Sequence, residues 1–316
     1  MMAKIKLKSL LLFTAAVFAP FAASADSVFV PGTWAGDTRY DVKKVEYGAE
    51  GSPDRLMCWA ASASNNLQLW QDNLAAAGYP IPSGVPNGKM QDTYSLDIFN
   101  VFANNWEDKS GVSALAYQWY FTGSYDIGYA GGFEVALPLE GASEGGYWKE
   151  LGLDVDDICV RLECQAGTVL HPVEGAKDLL KNSLNEVLEN GWLASLSVNN
   201  YSNHSVTLAG YEFDAATGDI TGLWICDSDN PNTSSNFLLD IYWSDGYQAW
   251  VFGEAHIDNI VSDYDNLEGW MIVSMDVLKV PFAIPEPSSF AALFGVLAIA
   301  LAMRRYYCCH EAVYRK

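Results

Sequence analysis

Between Cys58 and Leu74 the apolar residues Ala60, Ala63, Leu67, Trp70 and Leu74 recur at helical spacing. Ala60, Ala61 and Ala63 near its start are small. A helix with so little bulk near its start can lie deep against a sheet. The segment is therefore expected to be a central helix, preceded by a loop whose capping groups are Ser52, Pro53 and Asp54. Cys58 stands at its first turn, where the positive end of the helix dipole favours an anion.

The sheet that such a helix needs is legible further on. Trp192 to Val198, His204 to Phe213 and Ile220 to Asp227 are three strand-like segments. The link Asp214-Ala215-Ala216-Thr217-Gly218-Asp219 has hairpin composition, so the last two strands are expected to run antiparallel. An amphipathic helix over Ala176 to Asn190, stopped by Gly191, precedes them. Two further helices are expected near Ser95 to Trp106 and Val112 to Phe121, with substrate-shaping loops between Gly123 and Gly146. The predicted class is α+β, an N-terminal helix packed on an antiparallel sheet.

On this arrangement His204 begins one strand and Asp227 ends its neighbour, so both reach one edge of the sheet. That geometry lets a carboxylate orient an imidazole. Cys58 precedes His204 by 146 residues, within the separation of roughly 130–150 typical of papain-like enzymes. A thiol with a pKa of about 8.5 is a weak nucleophile, but a helix N-terminus and a paired imidazolium can lower that to about 3–4. Taken singly, Cys58 could be a small core residue and His204 a surface histidine. Their order and spacing with Asp227 favour catalysis.

The ends of the chain bear on where that chemistry takes place. Lys4, Lys6 and Lys8 precede an apolar stretch from Leu10 to Phe21 and then Ala23-Ser24-Ala25, the layout of a secretory signal peptide over residues 1–25. At the other end Pro285-Glu286-Pro287 is followed by an apolar run from Phe290 to Met303 and by Arg304-Arg305. This resembles the PEP-CTERM sorting signal of Gram-negative bacteria, which implies an exosortase-type partner and a membrane anchor within residues 284–316. The apolar run is 14 residues long, shorter than the roughly 20 that span a bilayer unaided. The basic pair agrees with the positive-inside rule and leaves the body outside the cytoplasm, at the cell surface or in the matrix.

The body, residues 26–283, is long enough for one domain with a substantial core. From Asp26 to Pro285 there are 37 acidic and 11 basic residues, which argues against nucleic acid as a partner. Cys58, Cys159, Cys164 and Cys226 could form two disulfides in an oxidising compartment, in any of three pairings. A local Cys159–Cys164 bridge is one expectation, and a Cys58–Cys226 bridge would silence the nucleophile.

Several motifs together resemble the immunoglobulin-degrading, papain-fold cysteine proteases of the IdeS/Mac type. They are Tyr40-Asp41-Val42-Lys43-Lys44, the run Leu56 to Asn65 with Leu69-Trp70, Asn203-His204-Ser205-Val206-Thr207-Leu208-Ala209-Gly210, and Leu223 to Asn230. The region from Gly78 to Gly175 matches only loosely. The resemblance implies a papain-like fold and an endopeptidase acting on protein or peptide, with no cofactor or metal. It makes Cys58 the nucleophile, His204 the general base and acid, Asp227 the residue that orients His204, and Asp229 a supporting carboxylate. Lys44 becomes the oxyanion-hole lysine, against the alternative of a solvated surface lysine.

Three rival readings compete. Gly141-Ala142-Ser143-Glu144-Gly145 matches a nucleophile elbow, with Asp227 and His256 following in hydrolase order. Asp227-Ser228-Asp229-Asn230 begins like a calcium loop but has Pro231, Asn232 and Leu238 at positions five, six and twelve, so it fails that pattern. A surface or matrix binding protein on a protease fold would account for the acidic, aromatic-rich body equally well, but has no chemical reason to keep Cys58, His204 and Asp227.

Overall fold

The computed structural model describes residues 25–42, 44, 55–88, 96–200, 202–229, 236–255 and 267–279. Residues 1–24 of the expected signal peptide, the expected capping loop Ser52 to Asp54, His256 and the expected sorting segment 284–316 lie outside them. Among the described residues no helix is long and apolar enough to cross a membrane.

In chain order the elements are β1 (Ala25–Phe29), α1 (Cys58–Ala76), α2 (Asp97–Asn105), α3 (Ser113–Thr122), α4 (Val155–Ile158), β2 (Cys159–Glu163), β3 (Gly167–Thr168), β4 (His171–Pro172), α5 (Asp178–Glu189), β5 (Leu193–Asn199), β6 (Asn203–Asp214), β7 (Ile220–Cys226), β8 (Phe237–Ser244), β9 (Ala249–Ala255) and β10 (Met271–Leu278). The class is α+β, as the sequence pattern predicts. The expected helices and the three expected strands all form, with ends shifted by one or two residues.

The large sheet runs β1-β6-β5-β10-β9-β8-β7, and β6 also pairs with β7. Strands β5 to β10 therefore close on themselves into an antiparallel barrel, which leaves no free edge along that path. β1 pairs with β6 over Gly210 to Asp214, and β2 pairs with β10 over Ser274 to Leu278. Gly210 permits the β1 approach: a Cβ there would collide with the Val28 carbonyl.

Two hydrophobic cores result. One gathers α1, α2 and α3 around Trp59, Trp70, Phe102 and Trp119. Trp70 stands edge-on to Phe121 and to Trp148, with ring centroids 4.8 Å apart in each pair. The other core fills the barrel with Leu196, Val206, Ile225, Phe252 and Ile272, and is closed by Leu180, Leu184 and Val187 of α5.

α1 packs on β5 and β6 where these two cores meet. It is buried on every side from Trp59 to Gln71, polar residues included. Its polar side chains are met one by one. Ser62 Oγ donates to Ser195 Oγ at 2.7 Å, Asn66 Nδ2 to the Tyr117 hydroxyl at 2.8 Å, and Asn65 Nδ2 to Thr207 Oγ1 at 3.0 Å. They form a buried polar seam in which most groups find a partner, although Asn66 Oδ1 and Trp70 Nε1 have none among the described residues.

The expected disulfides are absent among the described residues. Cys58, Cys159, Cys164 and Cys226 are all free thiols. Cys159 belongs to the helical core and Cys164 to the barrel core. Five residues apart along extended chain, they point to opposite faces and cannot meet.

Candidate active site

Cys58 is the first residue of α1, and Met57 before it provides no side-chain cap. The approach is fixed from outside the helix instead. Leu56 N donates to Asp108 Oδ1 at 2.6 Å, and Lys44 Nζ donates to the Arg55 carbonyl at 3.0 Å. Ala61 N bonds the Met57 carbonyl at 3.0 Å, so the helical ladder begins at once. The thiol is held at a helix N-terminus and is only partly covered.

The hairpin delivers the partners as expected. β6 and β7 are antiparallel, with Thr207 opposite Cys226, so His204 and Asp227 emerge at the same end. His204 Nε2 lies 2.8 Å from Asp227 Oδ1, and Cys58 lies close enough to His204 for each to shift the other's protonation. With Nε2 committed to Asp227, Nδ1 is the nitrogen left for the thiol. Asp227 is itself pinned, because Asp229 N donates to its Oδ1 at 3.0 Å.

Lys44 is not a surface residue. Its side chain is 3% exposed, and Nζ lies 2.6 Å from Asp229 Oδ1. Asp229 Oδ2 in turn lies 3.7 Å from His204 Nδ1. An ammonium has three donors. Two of Lys44's go to Asp229 and to the Arg55 carbonyl, leaving one beside Cys58. Sequence reasoning left Lys44 divided between two roles because burial depends on what folds over it.

These charges set the protonation states. Burial pushes the Cys58 thiol up, but the adjacent His204 charge and hydrogen bond, helped by Lys44, carry it below its ordinary value. Burial pulls His204 down, yet the charges of Asp227 and Cys58 raise it well above the usual imidazole range. Asp227 is pushed up by burial and brought below the ordinary carboxylate value by His204. For Lys44, burial is outweighed by the charges of Cys58 and Asp229, and its pKa rises. The favoured pair is a thiolate beside an imidazolium.

That pair has a pH signature. Catalysis by thiolate and imidazolium requires Cys58 deprotonated and His204 protonated. The acid limb of a rate profile should fall below the ordinary thiol pKa and the alkaline limb well above about 6.5. Measurement of kcat/KM against pH should give a bell with its plateau across neutrality. A single rise near the pKa of a free thiol would contradict the ion pair.

Donor atoms of His204, Asp227 and Asp229 lie within 4.8 Å of one another, close enough to share a metal ion. The Lys44 ammonium against Asp229 already supplies the cation there, and the site reads better as acid–base machinery. Trp270, which sequence reasoning passed over, stacks edge-on against His204 with ring centroids 6.0 Å apart. No local signal marks it, since it reaches His204 only through pairing of the strand that follows.

The site opens into a cleft of about 720 Å³. Leu56, Val112 and Val135 line it from the helical side, and Val198, Trp270 and Met271 from the barrel. The serine rival has no such setting. Ser143 sits in an exposed loop between a bridge at Pro138 and a 3₁₀ turn at Lys149–Leu151, where it accepts from Gly145 N at 3.3 Å.

No family model matches the chain, and no curated protein does. The chemistry assigned to the site therefore rests on its own geometry.

Proposed function

We propose that the protein is a cysteine endopeptidase of papain-like architecture that hydrolyses peptide bonds through a Cys58 thioacyl intermediate. The observation that carries this reading is the His204 Nε2–Asp227 Oδ1 bond of 2.8 Å beside Cys58 in one cleft. Cys58 stands at a helix N-terminus, and the cleft lies between two cores. The helix-first order, with imidazole and carboxylate supplied by a later barrel, supports the likeness to the IdeS/Mac type. An immunoglobulin substrate does not follow from it. Export with surface sorting, through the expected signal and Pro-Glu-Pro segments, is part of the same proposal.

In this mechanism the Cys58 thiolate attacks the scissile carbonyl carbon, forming a C–S bond and an oxyanion. The Cys58 backbone N–H and the third Lys44 donor offer hydrogen bonds to that oxygen, worth about 2.7–4 kcal/mol per donor in acyl transfer. The His204 imidazolium gives its proton to the departing amine as the C–N bond breaks. His204, now neutral, takes a proton from water as the water attacks the thioester. Collapse releases the acid and restores the thiolate. Asp227 keeps the ring in place throughout and stabilises its charged form.

Selective alkylation tests the activated thiol. At about pH 6 an ordinary thiol is below about 1% ionised, whereas Cys58 is held ionised by His204. Iodoacetamide should modify Cys58 at least about tenfold faster in the folded protein than in the denatured chain. The other thiols in the cores should stay unmodified, since burial pushes Cys159 up to about 12 and Cys164 higher still. Peptide mapping reads out both. Equal rates for folded and denatured Cys58 would remove the basis of the mechanism.

A further inference from the structure

The floor of the cleft carries polar groups that the triad does not use. In the barrel β6, β5 and β10 lie side by side, and the register sets Ser205 opposite Ser197 and Ser197 opposite Ser274. Three serines thus form one row across the sheet, starting at the residue after His204. All three line the cleft. Ser205 and Ser274 are only 9% and 5% exposed. Among the described residues none of the three hydroxyls hydrogen-bonds another protein group. Small side chains in a packed barrel wall are ordinary. A row of unspent hydroxyls facing a cleft is a place for a polar ligand.

Arg161 of β2 lines the same cleft. Its register partner is Asp276, two residues along β10 from Ser274. Nε and Nη2 donate to Asp276 Oδ1 at 2.9 and 2.7 Å, and Nη1 donates to the Tyr129 carbonyl at 2.8 Å. A guanidinium has five N–H donors. One on each terminal nitrogen is left over, and the side chain is 25% exposed. Asp276, at 2% exposure, holds the fork in a fixed plane while its other oxygen turns to Ala114 N at 3.4 Å. Glu134, also lining the cleft, is 87% exposed at the rim and lies 3.5 Å from Lys109.

We propose that the Ser205–Ser197–Ser274 row and Arg161 form a substrate subsite for a carboxylate side chain, so that the enzyme prefers Asp or Glu near the scissile bond. Preset hydroxyl donors match an acceptor-rich group, and the uncommitted N–H on each terminal nitrogen of a partly exposed Arg suits a carboxylate best. Strands are spaced about 4.8 Å apart, so two steps from Ser205 to Ser274 cover about 10 Å. An extended peptide advances about 3.3 Å per residue. The acidic residue then falls within about three positions of the cleaved bond. This specificity rests on the peptidase reading, and the test separates the two.

The full chain is assayed with a set of peptides carrying Glu, Gln or Leu at each of the three positions on either side of the bond. At one position the Glu peptide should exceed its Gln counterpart in kcat/KM by about 10- to 100-fold, the range for a charge-assisted hydrogen bond. Arg161→Lys should cut that ratio at least about fivefold. Ser197→Ala, which leaves the Arg161–Asp276 pair intact, should cut it as well and covers the case in which the Arg161 variant fails to fold. Binding of the Glu and Gln peptides to Cys58→Ala protein, followed by tryptophan fluorescence, gives a readout without turnover. Cleavage with equal Glu and Gln rates at every position overturns the subsite and leaves the peptidase standing. If nothing is cleaved but the Glu peptide binds at least about tenfold tighter, the subsite stands and the peptidase falls. Equal binding without cleavage overturns both.

Discussion

Replacing Cys58 with alanine should lower peptide hydrolysis at least about 10⁴-fold while leaving the fold intact. The size follows from the role. When a nucleophile is lost, only binding and oxyanion stabilisation remain, and losses of about 10⁴ to 10⁶ are usual. The fold should survive because Cys58 belongs to neither hydrophobic core, whereas Trp59 next to it is 1% exposed. Unfolding midpoints and circular dichroism check the second half of the statement, and cleavage of a casein-like protein mixture checks the first. Hydrolysis within about tenfold of wild type in a properly folded Cys58→Ala protein would mean that the activity lies elsewhere. A variant inactive only because it is unfolded would show in the same spectra.

Lys44→Met should be the next most damaging change, and it should act on stability and activity together. Lys44 and Asp229 are 3% and 14% exposed, so their ion pair is largely dry. Removing one partner of such a pair leaves an uncompensated charge and costs about 3–5 kcal/mol. The freed Asp229 then faces His204 and the Cys58 thiolate without its counter-ion. Burial aside, Lys44 lowers the Cys58 pKa and Asp229 raises it, so losing the lysine pushes the thiol up on both counts. With one oxyanion donor gone as well, kcat/KM should fall about 10²- to 10³-fold at neutral pH. Part of the loss should return at higher pH, where the thiolate re-forms. A solvated surface lysine would move stability by less than about 0.5 kcal/mol, so denaturant titration separates the two roles. Activity within about threefold of wild type would remove Lys44 from the site.

How far the sequence anticipates this structure depends on the range of the forces involved. α1 was legible because a 3.6-residue apolar period is local, and the β6–β7 hairpin because its turn residues sit between the strands they join. From the hairpin the meeting of His204 and Asp227 follows, while Cys58 was joined to them by its papain-like spacing and by the family resemblance. β8, β9 and β10 were not foreseen, although they complete the barrel. Their partners are remote in sequence, and a strand's composition does not name its neighbour. The Cys159–Cys164 bridge failed for a similar reason: closeness in sequence says nothing about which face of a sheet each thiol occupies.

Nothing local in the helix names the partners of Ser62, Asn65 and Asn66, which are Ser195, Thr207 and Tyr117. Burial of polar groups is a property of the pairing and not of the residue. Lys44 is the sharpest case, since nothing in its own segment distinguishes a solvated ammonium from one sealed against Asp229. The amino-acid order alone determined the α+β class, the central helix and the three residues that meet at its head. The first two rest on local periodicity and turn chemistry, and the third on the antiparallel geometry of a hairpin together with the papain-like spacing of Cys58. Only the tertiary structure decided the barrel closure, the free state of the thiols, the burial of Lys44 and the polar floor reaching to Arg161. Each of these depends on contacts between segments far apart in the chain, where register and packing, not composition, assign every side chain its partner.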